Sequence, residues 1–116
     1  MFQVTFSDQA LAELGKLPTL EQMVVIEPLS GLNDSQLRAP EEPLGSFSRE
    51  GRLLFRLRSG EYRIYFERIG DTLRITCILH KNTLADFIYR TKLPFSEERM
   101  AEQSASFWEY IESLNL

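Results

Sequence analysis

Apolar and polar residues alternate with a period of two through most of residues 52–80, while the two ends of the chain carry a helical period. In RLLFRLR (52–58), EYRIYFER (61–68) and TLRITCILH (72–80) every second residue is apolar, the pattern of half-buried strands. The links between them contain Ser59-Gly60 and Ile69-Gly70-Asp71, short glycine-bearing connections of the kind that close β-hairpins. If Arg58 stands opposite Glu61 and Ile69 opposite Thr72, alternate residues from Leu53 to Leu57, Tyr62 to Phe66 and Leu73 to Leu79, Cys77 included, share one apolar face. That face requires a helical layer. FQVTF (2–6) alternates too and reads as a short first strand.

The helical layer is supplied in part by SDQALAELGKL, where Ser7 is a fit N-cap, Asp8 suits the positive helix end, and Ala10, Leu11 and Leu14 form a stripe. Gly15 and Pro18 end or bend it. LEQMVVIEPL could be a strand from its β-branched run, but reads better as a second helix with Met23, Val25 and Ile26 inward, completing an αα-hairpin. Residues 29–51, rich in Pro, Gly, Ser and Asn, read as a long connection with a short helical turn around 33–38. At the other end, Ser96 is a candidate N-cap for a helix over 96–114. Its Met100, Phe107, Ile111 and Leu114 keep helical spacing beside Trp108. This helix is expected to pack back on its own sheet; a surface covered by a partner is the alternative. The predicted architecture is α+β: one domain over 1–116, with a small antiparallel sheet, an N-terminal helical hairpin on one face and a C-terminal helix.

Composition narrows the function classes. With 116 residues, 43% hydrophobic and 26% charged, the chain has the make-up of a globular domain. It contains neither a secretory signal pattern nor an apolar run of the ~20 residues that span a bilayer. One cysteine excludes an internal disulfide and suits the cytoplasm, and one histidine with one cysteine argues against a zinc site. The net charge of −4 conceals a division. Residues 1–48 carry two basic and seven acidic side chains, 49–92 ten and five, and 93–116 one and five. A basic centre between acidic flanks points to an anion-binding surface.

The polar face of the strands carries that charge. In the expected register Arg52, Glu67 and Arg74 form one cross-strand row and Arg58, Glu61 and His80 another, pairs worth roughly 0.2–1 kcal/mol each that need no function. Arg56 and Arg63 instead fall opposite each other, with Tyr65 beside them. Such a pair is destabilising unless an anion lies between the two or a carboxylate reaches in from residues 29–51. Two guanidiniums and a phenol suit a phosphate. Beyond the last strand, HKNTLADFIYR adds His80, Lys81, Tyr89 and Arg90. Carboxylate pairs placed for acid–base work, a Gly-rich phosphate loop, a nucleophile elbow and HExxH are all missing from the sequence. If the set is catalytic, the chemistry is constrained, and metal-free RNA cleavage by the neighbouring 2′-OH is one that it could serve. Cations would stabilise the phosphorane and a His or Tyr would serve in proton transfer. Tyrosines can also stack an unpaired base.

A strand, two helices and then LRSGEYRIYFERIGDTLRITCILHKNT (57–83) together resemble the RelE/ParE superfamily of bacterial toxin–antitoxin toxins, LRSG-x-YR being the most telling part. The resemblance implies a RelE-like fold and a cytoplasmic protein neutralised by a separate antitoxin. It implies no cofactor and no metal. For RelE-like members the implied activity is endoribonucleolytic cleavage of mRNA on the ribosome, which inhibits translation; for ParE-like members it is inhibition of gyrase. Residue by residue it points to Arg56, Arg63, Tyr89 and Lys81 as catalytic, with His80 as an added candidate. Arg58, Tyr65 and Arg90 become RNA or phosphate contacts. Leu54 occupies a position that is basic in RNA-cleaving members. The leading expectation is a RelE-like mRNA-cleaving toxin. The alternatives are a non-catalytic module of the same fold that binds RNA, the ribosome or a protein, and a ParE-like gyrase inhibitor.

Overall fold

The structure is a computed structural model that describes residues 2–92 and 97–115. Its elements run β1 (Gln3–Phe6), α1 (Asp8–Gly15), α2 (Thr19–Ile26), a 3-10 turn (Glu27–Gly31), α3 (Asp34–Arg38), β2 (Leu44–Arg49), β3 (Arg52–Ser59), β4 (Tyr62–Ile69) and β5 (Thr72–His80). They continue with α4 (Lys81–Thr91), α5 (Glu98–Glu102) and α6 (Ala105–Ser113). Five strands form one sheet in the order β1-β5-β4-β3-β2. The sheet is mixed: β1 runs parallel to β5, and the other neighbours are antiparallel.

The N-terminal hairpin forms as the sequence indicates. Ser7 caps α1, its hydroxyl accepting from the Ala10 amide at 3.2 Å. Ala10 and Leu14 from α1 and Val25 from α2 bury against Phe55, Leu57, Ile64, Phe66 and Ile75 of the sheet. Leu11 and Met23 depart from expectation and are exposed: Ala10 and Leu14 fill the inward positions of α1, and Val25 and Leu29 those of the segment that follows.

Residues 29–51 are more ordered than a connecting loop. α3 carries a capping box between Asn33 and Gln36, in agreement with the helical turn expected there. β2 was not expected. Leu44 enters the core on the hairpin side of the sheet and Phe47 the core on the other side, which secures a short, serine-rich strand that has little intrinsic β-propensity.

Two features of the sheet correct the sequence-based register. The β3–β4 turn is Gly60-Glu61, not Ser59-Gly60, so Arg56 stands opposite Tyr65 and Arg58 opposite Arg63. Gly60 takes the left-handed conformation (φ 57°) at the first turn position, while Ser59 stays in the strand, its hydroxyl donating to the Val25 carbonyl at 2.6 Å. A shift of two residues keeps every side chain on its expected face. The second correction changes faces. A β-bulge at Tyr65/Phe66 offsets β5, so Tyr65 pairs with Cys77 while Phe66 pairs with Ile75. The extra residue, Thr76, has its carbonyl occupied by Ser7 Oγ (2.7 Å) and Asn115 Nδ2 (2.8 Å). Beyond it Gln9 replaces β1 as the edge partner, exchanging two 2.8 Å hydrogen bonds with the Ile78 backbone. Cys77 and Leu79 therefore lie on the face opposite the hairpin, and Ile78 and His80 move to the hairpin side.

That second face is covered. Phe47, Leu54, Tyr65, Cys77 and Leu79 pack with Leu84 and Phe87 of α4 and with Phe107, Trp108 and Ile111 of α6. The C-terminal segment packs back on its own sheet as expected, but as two helices. It breaks at Gln103-Ser104, where the Ser104 hydroxyl caps α6 by accepting from the Phe107 amide at 3.2 Å. Met100 is left half-exposed before the break. The proposed cap at Ser96 lies outside the described residues.

Candidate functional site

Arg56 and Arg58 of β3 and Arg63 of β4 sit under this second helical layer. Arg56 is wholly buried, as are Tyr65 opposite it and Glu102 of α5. The Arg56 guanidinium donates from Nη2 to Glu42 Oε1 at 2.8 Å and from Nη1 to the Pro43 carbonyl at 2.9 Å. Its Nε reaches Glu102 Oε1 at 3.5 Å. Its cross-strand neighbour on β2 is Gly45, where a Cβ would come within 2.8 Å of Nη2 and push the guanidinium from its seat on Glu42. Tyr65 donates its hydroxyl proton to Glu102 Oε2.

Nearer the surface Arg58 and Arg63 face each other across the ladder. Arg63 grips Glu98 of α5 with both arms of its fork, Nε to Oε2 at 2.8 Å and Nη2 to Oε1 at 3.2 Å. Its Nη1 donates to the carbonyls of Gly60 and Tyr62. Arg58 donates from Nη1 to Glu42 Oε2 at 2.9 Å, and its Nη2 lies 3.6 Å from Glu98. Its buried Nε has no hydrogen-bond partner among the described residues. Three guanidiniums and a phenol are thus served by Glu42, Glu98 and Glu102.

The electrostatics follow from burial and pairing. The hydrogen bond from Arg56 holds the Glu42 carboxyl below its usual range. For Arg56 burial favours the neutral form, but Glu42 and Glu102 together outweigh it and raise its pKa. Burial raises Glu102 despite its bonds from Tyr65 and Arg56. Burial, then the neighbouring Glu102 charge, lifts the Tyr65 phenol well above its ordinary value. Tyr65 is therefore a proton donor in a hydrogen bond and not a base near neutrality.

The other predicted site residues lie apart from this group. His80, carried to the hairpin side by the bulge, meets the Tyr62 ring edge-on at 5.1 Å. Its Nδ1 accepts from the Asn82 amide at 3.0 Å as the N-cap of α4, leaving Nε2 to face Glu61 at 3.3 Å. Lys81 pairs with the same Glu61 at 3.4 Å. Tyr89 projects from α4 with 82% of its surface exposed, and Arg90 pairs with Asp86 one turn back at 2.9 Å. The structure brings together Arg56, Arg58, Arg63 and Tyr65, separates His80 and Lys81 from them, and leaves Tyr89 and Arg90 in solvent. The alternative of a carboxylate from residues 29–51 is realised by Glu42. Glu98 and Glu102 were missed; their spacing of four on a short helix, which presents both to one side, is the signal that could have found them.

The comparisons with known proteins agree with this architecture. No family model matches the sequence, and no curated protein does. Among solved structures, the toxin–antitoxin complex RelBE2 from Mycobacterium tuberculosis contains a chain that aligns over 68% of this one and 96% of its own length. The identity is 27% and the TM-score 0.50. The chain has a RelE-like fold. The archaeal RelE–RelB complex from Pyrococcus horikoshii OT3 aligns over 69% of this chain and 94% of its own, at 18% identity and a TM-score of 0.55. Each alignment leaves about a third of the present chain uncovered. No helix among the described residues of this RelE-like chain is long and apolar enough to cross a membrane.

Proposed function

We infer that residues 1–116 act as one RelE-like domain, the toxin of a toxin–antitoxin pair, which cleaves mRNA on the ribosome without a metal and is held in check by a separate antitoxin. The observation that carries this reading is the directly opposed Arg58–Arg63 pair on a RelE-like sheet, with Arg56 and Tyr65 alongside. Opposed guanidiniums cost stability unless an anion joins them, and the forked donors of Arg match phosphate oxygens as well as carboxylates. Arg63 and Arg58 would hold the scissile phosphate and stabilise the developing phosphorane charge. Arg56, behind them, positions the strand and its charge. Tyr89, Lys81 and His80 remain the groups proposed for base stacking and proton transfer. The M. tuberculosis structure is a toxin–antitoxin complex and the P. horikoshii structure a RelE–RelB complex, which supports a protein partner here; a cytoplasmic setting follows from the proposed action on the ribosome. The test is primer extension on an mRNA in programmed ribosomes, wild type beside Arg63→Ala. Cleavage by the wild type that Arg63→Ala abolishes supports the reading, and intact mRNA with well-folded wild-type protein overturns it.

A second reading, a non-catalytic binding module, is favoured by one observation: His80 and Lys81 are engaged with Glu61, outside the arginine group. It predicts Arg63-dependent RNA binding with no cleavage in the same assay.

A further inference from the structure

Two of the three carboxylates that serve the arginine group belong to α5, a single helical turn. Glu98 and Glu102, four residues apart, point from one side of that turn onto the sheet. Glu98 joins the opposed Arg58 and Arg63, taking both arms of the Arg63 fork at 2.8 and 3.2 Å. A carboxylate in that seat offers two oxygens to guanidinium donors, as a phosphodiester does with its two non-bridging oxygens.

The two C-terminal helices are attached in different ways. α6 buries Phe107, Trp108 and Ile111 in the apolar layer. The apolar side chain that α5 buries is Ala101, and Met100 is half-exposed, so the rest of its hold on the sheet is carried by Glu98 and Glu102, through the arginines and the Tyr65 hydroxyl. Ionic contacts to arginines can be exchanged for contacts to another anion, whereas the apolar contacts of α6 have no such substitute. The slack in the network lies at Arg58, whose Nη2 stands 3.6 Å from Glu98 and whose buried Nε finds no hydrogen-bond partner among the described residues.

We propose that α5 is a built-in competitor for RNA: Glu98 occupies the seat of a backbone phosphate on Arg58 and Arg63, and RNA enters when α5 lifts away while α6 stays anchored. The proposal rests on the reading of this face as an RNA site. It makes the protein's own C-terminal segment a first level of restraint, separate from any antitoxin.

The test uses the full-length protein and a fluorescein-labelled single-stranded RNA of about 12 nucleotides, within the span one small domain covers, with affinity read by anisotropy at fixed salt. The variants are Glu98→Gln, Glu98→Gln with Arg63→Ala, and Glu97→Gln as a control that removes the same charge from an exposed neighbour. Glu98→Gln is expected to tighten binding by roughly tenfold or more, the usual scale of a coupled intramolecular contact. Glu97→Gln should give much less, and Arg63→Ala should cancel the gain. With RNA bound to wild type, amide exchange in 98–102 should quicken while 105–113 stays protected. Arg63-dependent binding that Glu98→Gln leaves unchanged, or that Glu97→Gln improves equally, overturns the competitor and leaves the RNA reading standing. No binding by wild type or by a folded Glu98→Gln variant overturns both.

Discussion

Arg56 is the residue on which the arrangement turns, because a buried cation survives in a fold only with its counter-charges in place. Its bonds to Glu42, Pro43 and Glu102 meet that requirement. Replacing it by Met keeps the volume and removes the charge, leaving Glu102 buried with Tyr65 as its remaining partner. We expect Arg56→Met to cost about 3–5 kcal/mol at pH 8, the range for breaking a buried pair from one side. Adding Glu102→Gln should recover a large part of the loss. The deficit should also depend on pH. Burial already raises the Glu102 pKa, and loss of Arg56 raises it further, so the folded variant takes up a proton more readily than the unfolded chain. Its stability is best at low pH and falls as pH rises through the folded-state pKa. Urea unfolding at pH 5 and pH 8 checks both points. Equal deficits at the two values, or strict additivity of the two substitutions, would refute the coupling.

At the scale of elements, what was legible in the sequence depended on whether one pattern had a single reading. The α1 cap, the helical turn near 33–38 and the three long strands each rest on a local signal that nothing in the fold opposes. The bulge was hidden because Cys77, Ile78 and Leu79 are consecutive apolar residues; the run satisfies either face, and only the neighbours of Thr76 choose. β2 was hidden because LGSFSR has two buried apolar side chains, Leu44 and Phe47, and a serine-rich remainder. The break in the C-terminal segment was legible in principle, since Ser104 precedes Phe107 by the spacing of a cap, but the stripe from Met100 to Leu114 suggested continuity. This break can be tested by itself. Ser104→Ala removes the acceptor for the Phe107 amide and should destabilise the protein by about 0.5–2 kcal/mol, typically near 1. Ser113→Ala, whose hydroxyl donates to the Tyr110 carbonyl at the exposed end of α6, should cost less. A Ser104→Ala loss no larger than that of Ser113→Ala in chemical denaturation would argue against a capped start at 104.

For the whole molecule, the candidate site was legible as a charge imbalance but not as a closed network. The basic centre and acidic flanks were visible in composition, and the spacing of four between Glu98 and Glu102 puts them on one side of a helix, yet nothing local to Glu42 or Glu98 names the arginines as their partners. Glu42 arrives with the pairing of β2 on β3, and Glu98 with the return of the C-terminal segment over the second face. The consequence is a stability profile with two opposed limbs. Glu42, held low by its bond from Arg56, contributes stability that is present above the unfolded carboxyl pKa and disappears as pH falls through the lower folded value. Glu102, held high by burial, acts the other way. Its contribution is complete below the unfolded pKa and declines as pH rises from there through the raised folded value. Wild-type stability should therefore decline on the acid side through Glu42 and, over the interval above the ordinary glutamate range, through Glu102. Glu42→Gln should lower the neutral plateau and flatten the acid limb, whereas Glu102→Gln should flatten the limb above the ordinary glutamate range and leave the acid limb in place. Unfolding free energies of the three proteins between pH 3 and 8 decide it. If Glu102→Gln flattened the acid limb instead, the buried carboxyl would be ionised throughout, and the closed network would be held by full charge on Glu102 rather than by its burial beside Tyr65.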